Sequence, residues 1–200
     1  MNWPNRITLF RVLMIPVFLW VYLARPFGGE ASMWVALTIF AVASISDAVD
    51  GYLARRYGLV TNFGKLMDPL ADKLLVCAAI VVFVGSGTIP GWAGVIFISR
   101  EFFVSGIRQL ALEQGEVLAA SNGGKLKTIF QMILIHFILV PVPAILYNMA
   151  PVIQDVRDAA VWILLILSLV ASVLSGIDYG YKNRWLLHFK NTKGKGGGGK

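Results

Sequence analysis

Six long apolar segments make up most of this sequence, and they constrain its fold more than any other feature. They are residues 7–23, 33–54, 66–84, 92–112, 126–147 and 159–177. A transmembrane helix needs about 20 mostly apolar residues, and each segment is close to that length. Hydrophobic residues make up 57% of the 200 residues and charged residues only 14%, an apolar excess that one water-soluble core cannot bury. The sequence predicts an all-α, polytopic membrane protein with six transmembrane helices.

Ionisable residues lie at ends of these segments that alternate along the chain. The first, third and fifth segments carry them near the start, the second at its end and the fourth in its second half. Because consecutive spans run in opposite directions, all of these charged ends reach one membrane face. The connections on the other side hold only Arg25 and Arg157 of the 18 lysines and arginines. The positive-inside rule therefore predicts a multi-pass protein of the cell membrane, with both termini and the charged face in the cytoplasm.

The sequence indicates one domain and a short tail. Residues 1–190 form the six-helix transmembrane domain, and residues 191–200 form a basic, glycine-rich tail that we expect to be disordered. The net charge of +7 is typical of cytoplasmic loops beside anionic lipid. We therefore expect membrane lipids, and not nucleic acid, as partners.

Four aspartates flank the connection between the second and third segments. Asp47 and Asp50 are spaced i, i+3, and Asp68 and Asp72 are spaced i, i+4, so each pair shares one face of its helix. Antiparallel neighbouring helices would gather all four at the cytoplasmic end, where like charges repel unless a cation compensates. All-oxygen ligation suits Mg²⁺, Mn²⁺ or Ca²⁺. The alternative is a set of separately solvated carboxylates at helix ends.

Small residues and an arginine accompany these aspartates. Gly51 and Ala54 lie on the helical stripe of Asp47 and Asp50, where the absence of bulk lets a flat group approach. Arg55 adds a positive fork that suits a diphosphate. Close packing between helices is the alternative role for Ala54.

A second, basic group lies on the same membrane side. Arg100 and Arg108 belong to the fourth segment, and Lys125 and Lys127 begin the fifth. Their long side chains can converge on a cationic pocket for the phosphate of an acceptor. The alternatives are a carboxylate partner that joins Arg100 to another helix and lipid headgroups for the two lysines.

The aspartate motif resembles the signature of the CDP-alcohol phosphotransferase family. The pattern Asp47-x2-Asp50-Gly51-x2-Ala54-Arg55-x8-Gly64-x3-Asp68-x3-Asp72 matches it at every fixed position, and the similarity extends from Pro4 to the sixth segment. This resemblance implies a six-helix transmembrane fold, a CDP-linked donor, a divalent metal and a homodimer. It assigns donor binding to Asn5, Thr8, Asp50, Gly51, Ala54, Arg55, Thr61 and Gly64. For Thr61 the alternative is an ordinary loop threonine without a ligand.

Within the family, the sequences around residues 100–108 and 124–131 resemble enzymes that transfer a phosphatidyl group from CDP-diacylglycerol to glycerol-3-phosphate and release CMP. The resemblance implies Mg²⁺ or Mn²⁺ on Asp47, Asp50, Asp68 and Asp72. In this interpretation Asp72 is the general base for the acceptor hydroxyl. The acceptor phosphate is bound by Arg100, Arg108, Lys125 and Lys127. One alternative is a family enzyme that uses inositol phosphate, serine or phosphatidylglycerol. A more remote one is a divalent-cation transporter.

The predicted topology is tested by cysteine labelling in intact cells. We expect a membrane-impermeant thiol reagent to label Gly29→Cys and Ala150→Cys, because both residues lie in connections on the outer side. Ser121→Cys is the internal control and should react only after the membrane is opened. Labelling of Ser121→Cys from outside would contradict the topology and the predicted position of the site.

Overall fold

The computed structural model describes the backbone of residues 3–57, 62–116, 118, 122–143 and 151–187, and the side chains of residues 9–46, 73–116, 118, 123–143 and 152–186. The described residues form six α-helices and one 3-10 helix and contain no strand, which confirms the predicted all-α class there. The α-helices are α1 (Trp3–Ala24), α2 (Gly29–Tyr57), α3 (Asn62–Gly85), α4 (Gly91–Glu113), α5 (Asn122–Leu139) and α6 (Pro151–Lys182). The 3-10 helix is Arg184–Leu187.

The helices pack as a bundle around an apolar core. Helix α1 contacts α2 and α3, α4 contacts α3 and α6, and α5 contacts α2 and α6. Aromatic rings join the first three helices: Phe18 and Phe40 lie 5.8 Å apart between ring centroids, and Tyr22 and Phe83 lie 5.6 Å apart. This core lies away from the predicted cytoplasmic ends of the helices. Charged groups can therefore gather at those ends without disrupting the apolar packing.

Helix α6 combines small polar residues and apolar residues on its inner face and is apolar on its outer face. Ser168, Ser172 and Ser175 are buried against the bundle, as are Leu165 and Leu169. Large apolar side chains on the outer face are at least half exposed: Ile163, Ile166, Val170, Leu174 and Ile177. Small residues let transmembrane helices approach closely, whereas an apolar outer surface of this extent is unfavourable in water. The distribution is typical of a helix in contact with lipid.

Two stretches of the described residues are long and apolar enough to cross a membrane by themselves. They are Gly29–Ser46, with a mean hydropathy of 1.4, and Val152–Lys182, with a mean hydropathy of 2.5. Shorter apolar stretches are Leu9–Ala24 and Lys73–Gly85. The ionisable residues that the sequence places at one end of α3, α4 and α5 shorten the apolar runs of those helices. These findings support association with a membrane.

The fifth apolar segment is interrupted at its prolines. We expected a span to Tyr147 with a helix distortion at Pro141 and Pro143. Helix α5 ends at Leu139, residues 140–143 are not helical, and residues 144–147 lie outside the described residues. Pro141 and Pro143 lack the amide hydrogens that would continue the helical ladder. Arg157, predicted in a loop, lies in the second turn of α6, and its Nη2 donates to the carbonyls of Ile138 and Val140 at 3.1 Å. An arginine therefore satisfies carbonyls at the interrupted end of α5.

Helix α1 ends on a strained residue. Arg25 follows its last residue and has a φ of 47°, and its amide donates to the carbonyl of Val21 at 3.2 Å. The left-handed conformation costs a residue with a side chain about 1–2 kcal/mol, and helices commonly end on glycine at this position. Pro26 then stops the helix. This strain is confined to Arg25, and the packing of the rest of the fold compensates for its energy.

Close packing of α3 against α4 depends on Gly94. A Cβ atom at Gly94 would lie 2.7 Å from Cγ2 of Val84, whereas a Cβ at Gly106 of the same helix would meet nothing within 4 Å. We expect Gly94→Ala to lower the free energy of unfolding by about 1–3 kcal/mol through overpacking. Gly106→Ala is the matched control and should raise it by up to about 1 kcal/mol through helix propensity. Thermal unfolding in detergent measures both, and equal effects would contradict this account of the α3–α4 contact.

Candidate active site

The backbone brings the four aspartates to two matching levels of a helical hairpin. Helix α2 ends at Tyr57 and α3 begins at Asn62. Asp50 lies seven residues before the end of α2, and Asp68 lies six residues after the start of α3. Asp47 and Asp72 each lie ten residues from those same bounds. At 1.5 Å per residue, one pair stands about 10 Å and the other about 15 Å from the connection.

The predicted metal and donor residues have described backbone positions but no described side chains, with one exception. Thr61 lies wholly outside the described residues. The others lie in α1, α2 or α3: Asn5, Thr8, Asp47, Asp50, Gly51, Ala54, Arg55, Gly64, Asp68 and Asp72. Their roles stay predictions, and their helical register is compatible with them.

A shared carboxylate organises the basic residues of α4 and α5. Glu101 on α4 forms an ion pair with Lys127 on α5, and the same oxygen lies 3.5 Å from Nη1 of Arg100. The Lys127 side chain is 5% exposed, that of Arg100 is 10% and that of Glu101 is 18%. Buried charges need a partner, so this carboxylate is what allows two cations to stay inside the bundle. The predicted residues Arg100 and Lys127 are thus brought together.

Helix α6 completes this cluster at its polar face. Nη2 of Arg100 donates to Oγ of Ser175 at 3.0 Å. A Cβ atom at Gly176 would lie 3.1 Å from Cγ of Arg100, and one at Gly123 of α5 would lie 3.2 Å from Cβ of Ser175. The small residues let α4, α5 and α6 approach closely enough for Arg100 to reach Ser175 of α6 while its neighbour Glu101 reaches Lys127 of α5.

Arg108 has a separate partner on α6. Its Nε donates to the hydroxyl of Tyr179 at 3.2 Å, and its guanidinium carbon lies 5.6 Å from the centroid of the same ring. Tyr179 is buried, so the arginine is held both by a hydrogen bond and by a cation–π contact. The described contacts of Arg108 leave its two Nη groups for an anion.

Ser175 and Tyr179 were not predicted from the sequence as members of the site. The carboxylate partner that was considered for Arg100 is Glu101, the next residue of the same helix. Ser175 and Tyr179 are spaced i, i+4 at the end of the most apolar segment, so they share one helix face. The only signal available was a pair of polar residues on one helix face, at the predicted cytoplasmic end of an apolar segment. Which residues they contact depends on how α6 packs.

Lys73 connects the aspartate hairpin to the basic cluster. It follows Asp72 in α3, and its Nζ donates to Oγ of Ser105 on α4. Oγ of Ser105 in turn donates to the backbone carbonyl of Glu101 at 2.6 Å. Ser105 lies between Glu101 and Arg108 in sequence. The α3 backbone next to Asp72 is therefore adjacent to the part of α4 that holds the basic residues.

Lys125 lies apart from this cluster. It is exposed, whereas Lys127 is buried, because residues two apart on a helix point about 200° from each other. The structure thus brings together Arg100 and Lys127 through Glu101 and places Arg108 on Tyr179. The role predicted for Lys125 stays a prediction.

The importance of the shared carboxylate is tested by its amide analogue. We expect Glu101→Gln to lower the free energy of unfolding by about 3–5 kcal/mol, because it leaves Lys127 and Arg100 buried without a counter-charge. Asp178→Asn is the matched control. It removes an exposed i, i+4 partner of Lys182 at 2.9 Å and should cost at most about 1 kcal/mol. Chemical unfolding in detergent measures both, and a small loss in Glu101→Gln would show that the cluster is not needed for stability.

The sequence profile of the CDP-alcohol phosphatidyltransferase family matches residues 1–174. A CDP-diacylglycerol–glycerol-3-phosphate 3-phosphatidyltransferase of Bacillus subtilis (strain 168) is 41% identical over 195 residues, covering 91% of this chain and 95% of that protein. A probable phosphatidylglycerophosphate synthase of Mycobacterium tuberculosis (strain ATCC 25618 / H37Rv) is 38% identical over 181 residues, covering 89% and 79%. An enzyme of Haemophilus influenzae (strain ATCC 51907 / DSM 11121 / KW20 / Rd) with the same name as the Bacillus protein is 36% identical over 185 residues, covering 89% and 91%.

These matches confirm the resemblance carried by the aspartate motif. They extend over nearly all of the helical part of the chain and over most of each relative. The chain belongs to the CDP-alcohol phosphatidyltransferase family.

Proposed function

We propose that this protein transfers the phosphatidyl group of CDP-diacylglycerol to glycerol-3-phosphate, giving phosphatidylglycerophosphate and CMP. The names of the relatives support this acceptor. The observation in the structure that carries the proposal is the contact of Lys73 with Ser105. It joins the helix of Asp72 to the helix of Arg108, so that a phosphorylated acceptor held by basic residues would lie beside the aspartate hairpin.

The donor set of the hairpin fits a divalent cation. Four carboxylates at two matching levels supply only oxygen, which is the ligand type that Mg²⁺ and Mn²⁺ prefer. In this proposal Asp47, Asp50, Asp68 and Asp72 hold one or two such ions. When bound, the metal would neutralise the diphosphate and stabilise the charge of the leaving CMP. Asn5, Thr8, Thr61 and the stretch from Asp50 to Gly64 bind the donor.

Asp72 is the proposed general base. It accepts the proton from the 1-hydroxyl of glycerol-3-phosphate, and that oxygen attacks the β-phosphorus of CDP-diacylglycerol, displacing CMP. A general base must lie within hydrogen-bond reach of the hydroxyl. Asp72 is the aspartate adjacent in sequence to Lys73, which contacts α4, so its position suits an acceptor held on that side.

Arg108 is the proposed principal contact for the acceptor phosphate. Tyr179 fixes the guanidinium through Nε, and a fixed guanidinium binds phosphate with two parallel hydrogen bonds. Arg100 and Lys127 add positive charge, part of which Glu101 neutralises. Lys125, on the exposed face of α5, completes the predicted acceptor set or contacts lipid headgroups.

The proposal includes a membrane topology and an assembly. Six helices cross the cell membrane, both termini and the active site are cytoplasmic, and two copies form a homodimer. The lipid-exposed face of α6 and the distribution of basic residues support this orientation. Membrane lipids surround the outer face, and the donor reaches the site from the bilayer.

The function is tested with the purified full-length protein in detergent. CDP-diacylglycerol and Mg²⁺ are supplied with glycerol-3-phosphate, serine, inositol phosphate or phosphatidylglycerol, and CMP release and the lipid product are measured. We expect glycerol-3-phosphate to be the best acceptor by at least tenfold. Preference for another acceptor would change the assigned reaction within the family, and no CMP release with any of them would overturn the transferase proposal.

The acceptor site predicts different effects on the two substrates. We expect Arg108→Ala to raise the KM for glycerol-3-phosphate about tenfold or more and to change the KM for CDP-diacylglycerol little, because a ground-state phosphate contact is lost. Tyr179→Phe should have a smaller effect in the same direction, since it keeps the ring but removes the hydroxyl that positions Nε. Lys182→Ala is the control and should behave as the wild type. Equal effects on both substrates would contradict an acceptor site at Arg108.

The general base is distinguished from the metal ligands by an isosteric substitution. Asp72→Asn keeps an oxygen but cannot take a proton, so we expect kcat to fall by about 10²–10⁴-fold with CDP-diacylglycerol binding largely retained. Asp47→Asn is the comparison and should weaken donor binding together with metal affinity. Recovery of Asp72→Asn at high Mg²⁺, or a near-normal kcat, would make Asp72 a ligand only.

A further inference from the structure

A cavity of about 510 Å³ opens at the end of the bundle opposite to Arg108 and Tyr179. Its walls come from the end of α1, the start of α2, the α3–α4 turn, the end of α5 and the start of α6. It shares no residue with the aspartate hairpin or the basic cluster. The cavity is therefore separate from the proposed transferase site.

Both basic residues of the connections at this end line the cavity. They are Arg25 and Arg157, and the three connections predicted on this side contain no other lysine or arginine. Asp158 is the third charged residue of the wall, so the three side chains together carry a net charge of +1. The only two basic residues of these connections therefore line the same cavity. This arrangement indicates an anionic ligand.

Arg157 is fixed by backbone hydrogen bonds, and Arg25 has a strained backbone conformation. Nη2 of Arg157 is fixed by two backbone carbonyls of the α5 end, which leaves Nε and Nη1 outside its described hydrogen bonds. Arg25 occupies a left-handed position that a glycine would fill without strain. Backbone strain is a reason to look for function when the strained residue faces a site, and Arg25 lines this cavity.

The remaining walls divide into a polar and an apolar side. The Ser86 hydroxyl donates to the carbonyl of Phe83 at 3.2 Å and also lies within hydrogen-bond distance of the hydroxyls of Tyr22 and Thr88. The exposed hydroxyl of Thr88 in the α3–α4 turn is therefore the one that can bond to phosphate or glycerol oxygens. Val161 and Trp162 form the opposite wall, and Trp162 is half exposed at the start of the outer apolar face of α6. A ligand with a polar head and apolar chains fits both walls.

We propose that this cavity binds the phosphate of an anionic phospholipid headgroup. Arg25 and Arg157 hold the phosphate oxygens, the hydroxyl of Thr88 contacts the glycerol part, and the acyl chains continue along the lipid-facing side of α6. The same phosphate chemistry would also admit a free phosphate ion. The acyl chains and the open apolar wall distinguish the lipid from the ion.

The test uses Arg25→Gly in the full-length protein in a neutral detergent. This variant removes the guanidinium and relieves the backbone strain, so it folds at least as well as the wild type. Short-chain phosphatidylglycerol at ten times its Kd should raise the Tm of the wild type by about 3–6 °C. Arg25→Gly should lose at least half of that shift. Lys182→Ala, which removes one positive charge at the other end of the bundle, should keep all of it.

Two further arms identify the source of the phosphate. Inorganic phosphate and diacylglycerol of the same chain length are added at the same concentration, and neither alone should reproduce the shift. A full Tm shift with inorganic phosphate would contradict the lipid as the ligand and indicate a phosphate-ion site. A full Tm shift with diacylglycerol would contradict recognition of the headgroup phosphate. An undiminished shift in Arg25→Gly, or no shift in the wild type, would overturn the cavity as the site.

Discussion

The carboxylate of Glu101 is the interaction on which the arrangement of the last three helices depends. It lies between Lys127 of α5 and Arg100 of its own helix, and Arg100 continues the connection to Ser175 of α6. A buried ion pair contributes little net stability relative to apolar packing, but losing one member leaves a charge without compensation. The ion pairs and hydrogen bonds of these residues therefore fix how α4, α5 and α6 pack against each other. Without them, only small residues and apolar contacts would determine this packing.

Helix α4, which carries Glu101, also links the aspartate hairpin to the basic residues. Ser105, one turn after Glu101, accepts the hydrogen bond of Lys73 and donates to the carbonyl of Glu101. Changes in the packing of α4 therefore reach both the aspartate hairpin and Arg108. Through this connection, residues on the five helices from α2 to α6 can contribute to the proposed active site, although these residues are far apart in the sequence.

Much of the fold and part of the site follow from the sequence. The apolar segments predicted the helices, and alternating direction predicted that Arg100 and Lys127 would meet. The helix distortion predicted at Pro141 and Pro143 is confirmed, because α5 ends at Leu139 and residues 140–143 are not helical. Tyr179 and Ser175 were missed because their contacts cross 71 and 75 residues. Such contacts depend on which face of α6 is buried, and an apolar segment with few polar residues gives little periodic signal for that face.

The length of α6 has a consequence for the two ends of the bundle. Its 32 residues reach about 48 Å, whereas the hydrocarbon core of a typical bilayer is about 30 Å thick. The uncharged stretch of α6, residues 159–177, reaches about 28 Å, close to the length of about 27 Å that the 18 residues of α5 reach. In the proposed topology the extra length of α6 therefore extends into the headgroup region on both sides of the membrane. The contact of Arg157 with the end of α5 and the contact of Tyr179 with Arg108 then lie at the level of the lipid headgroups.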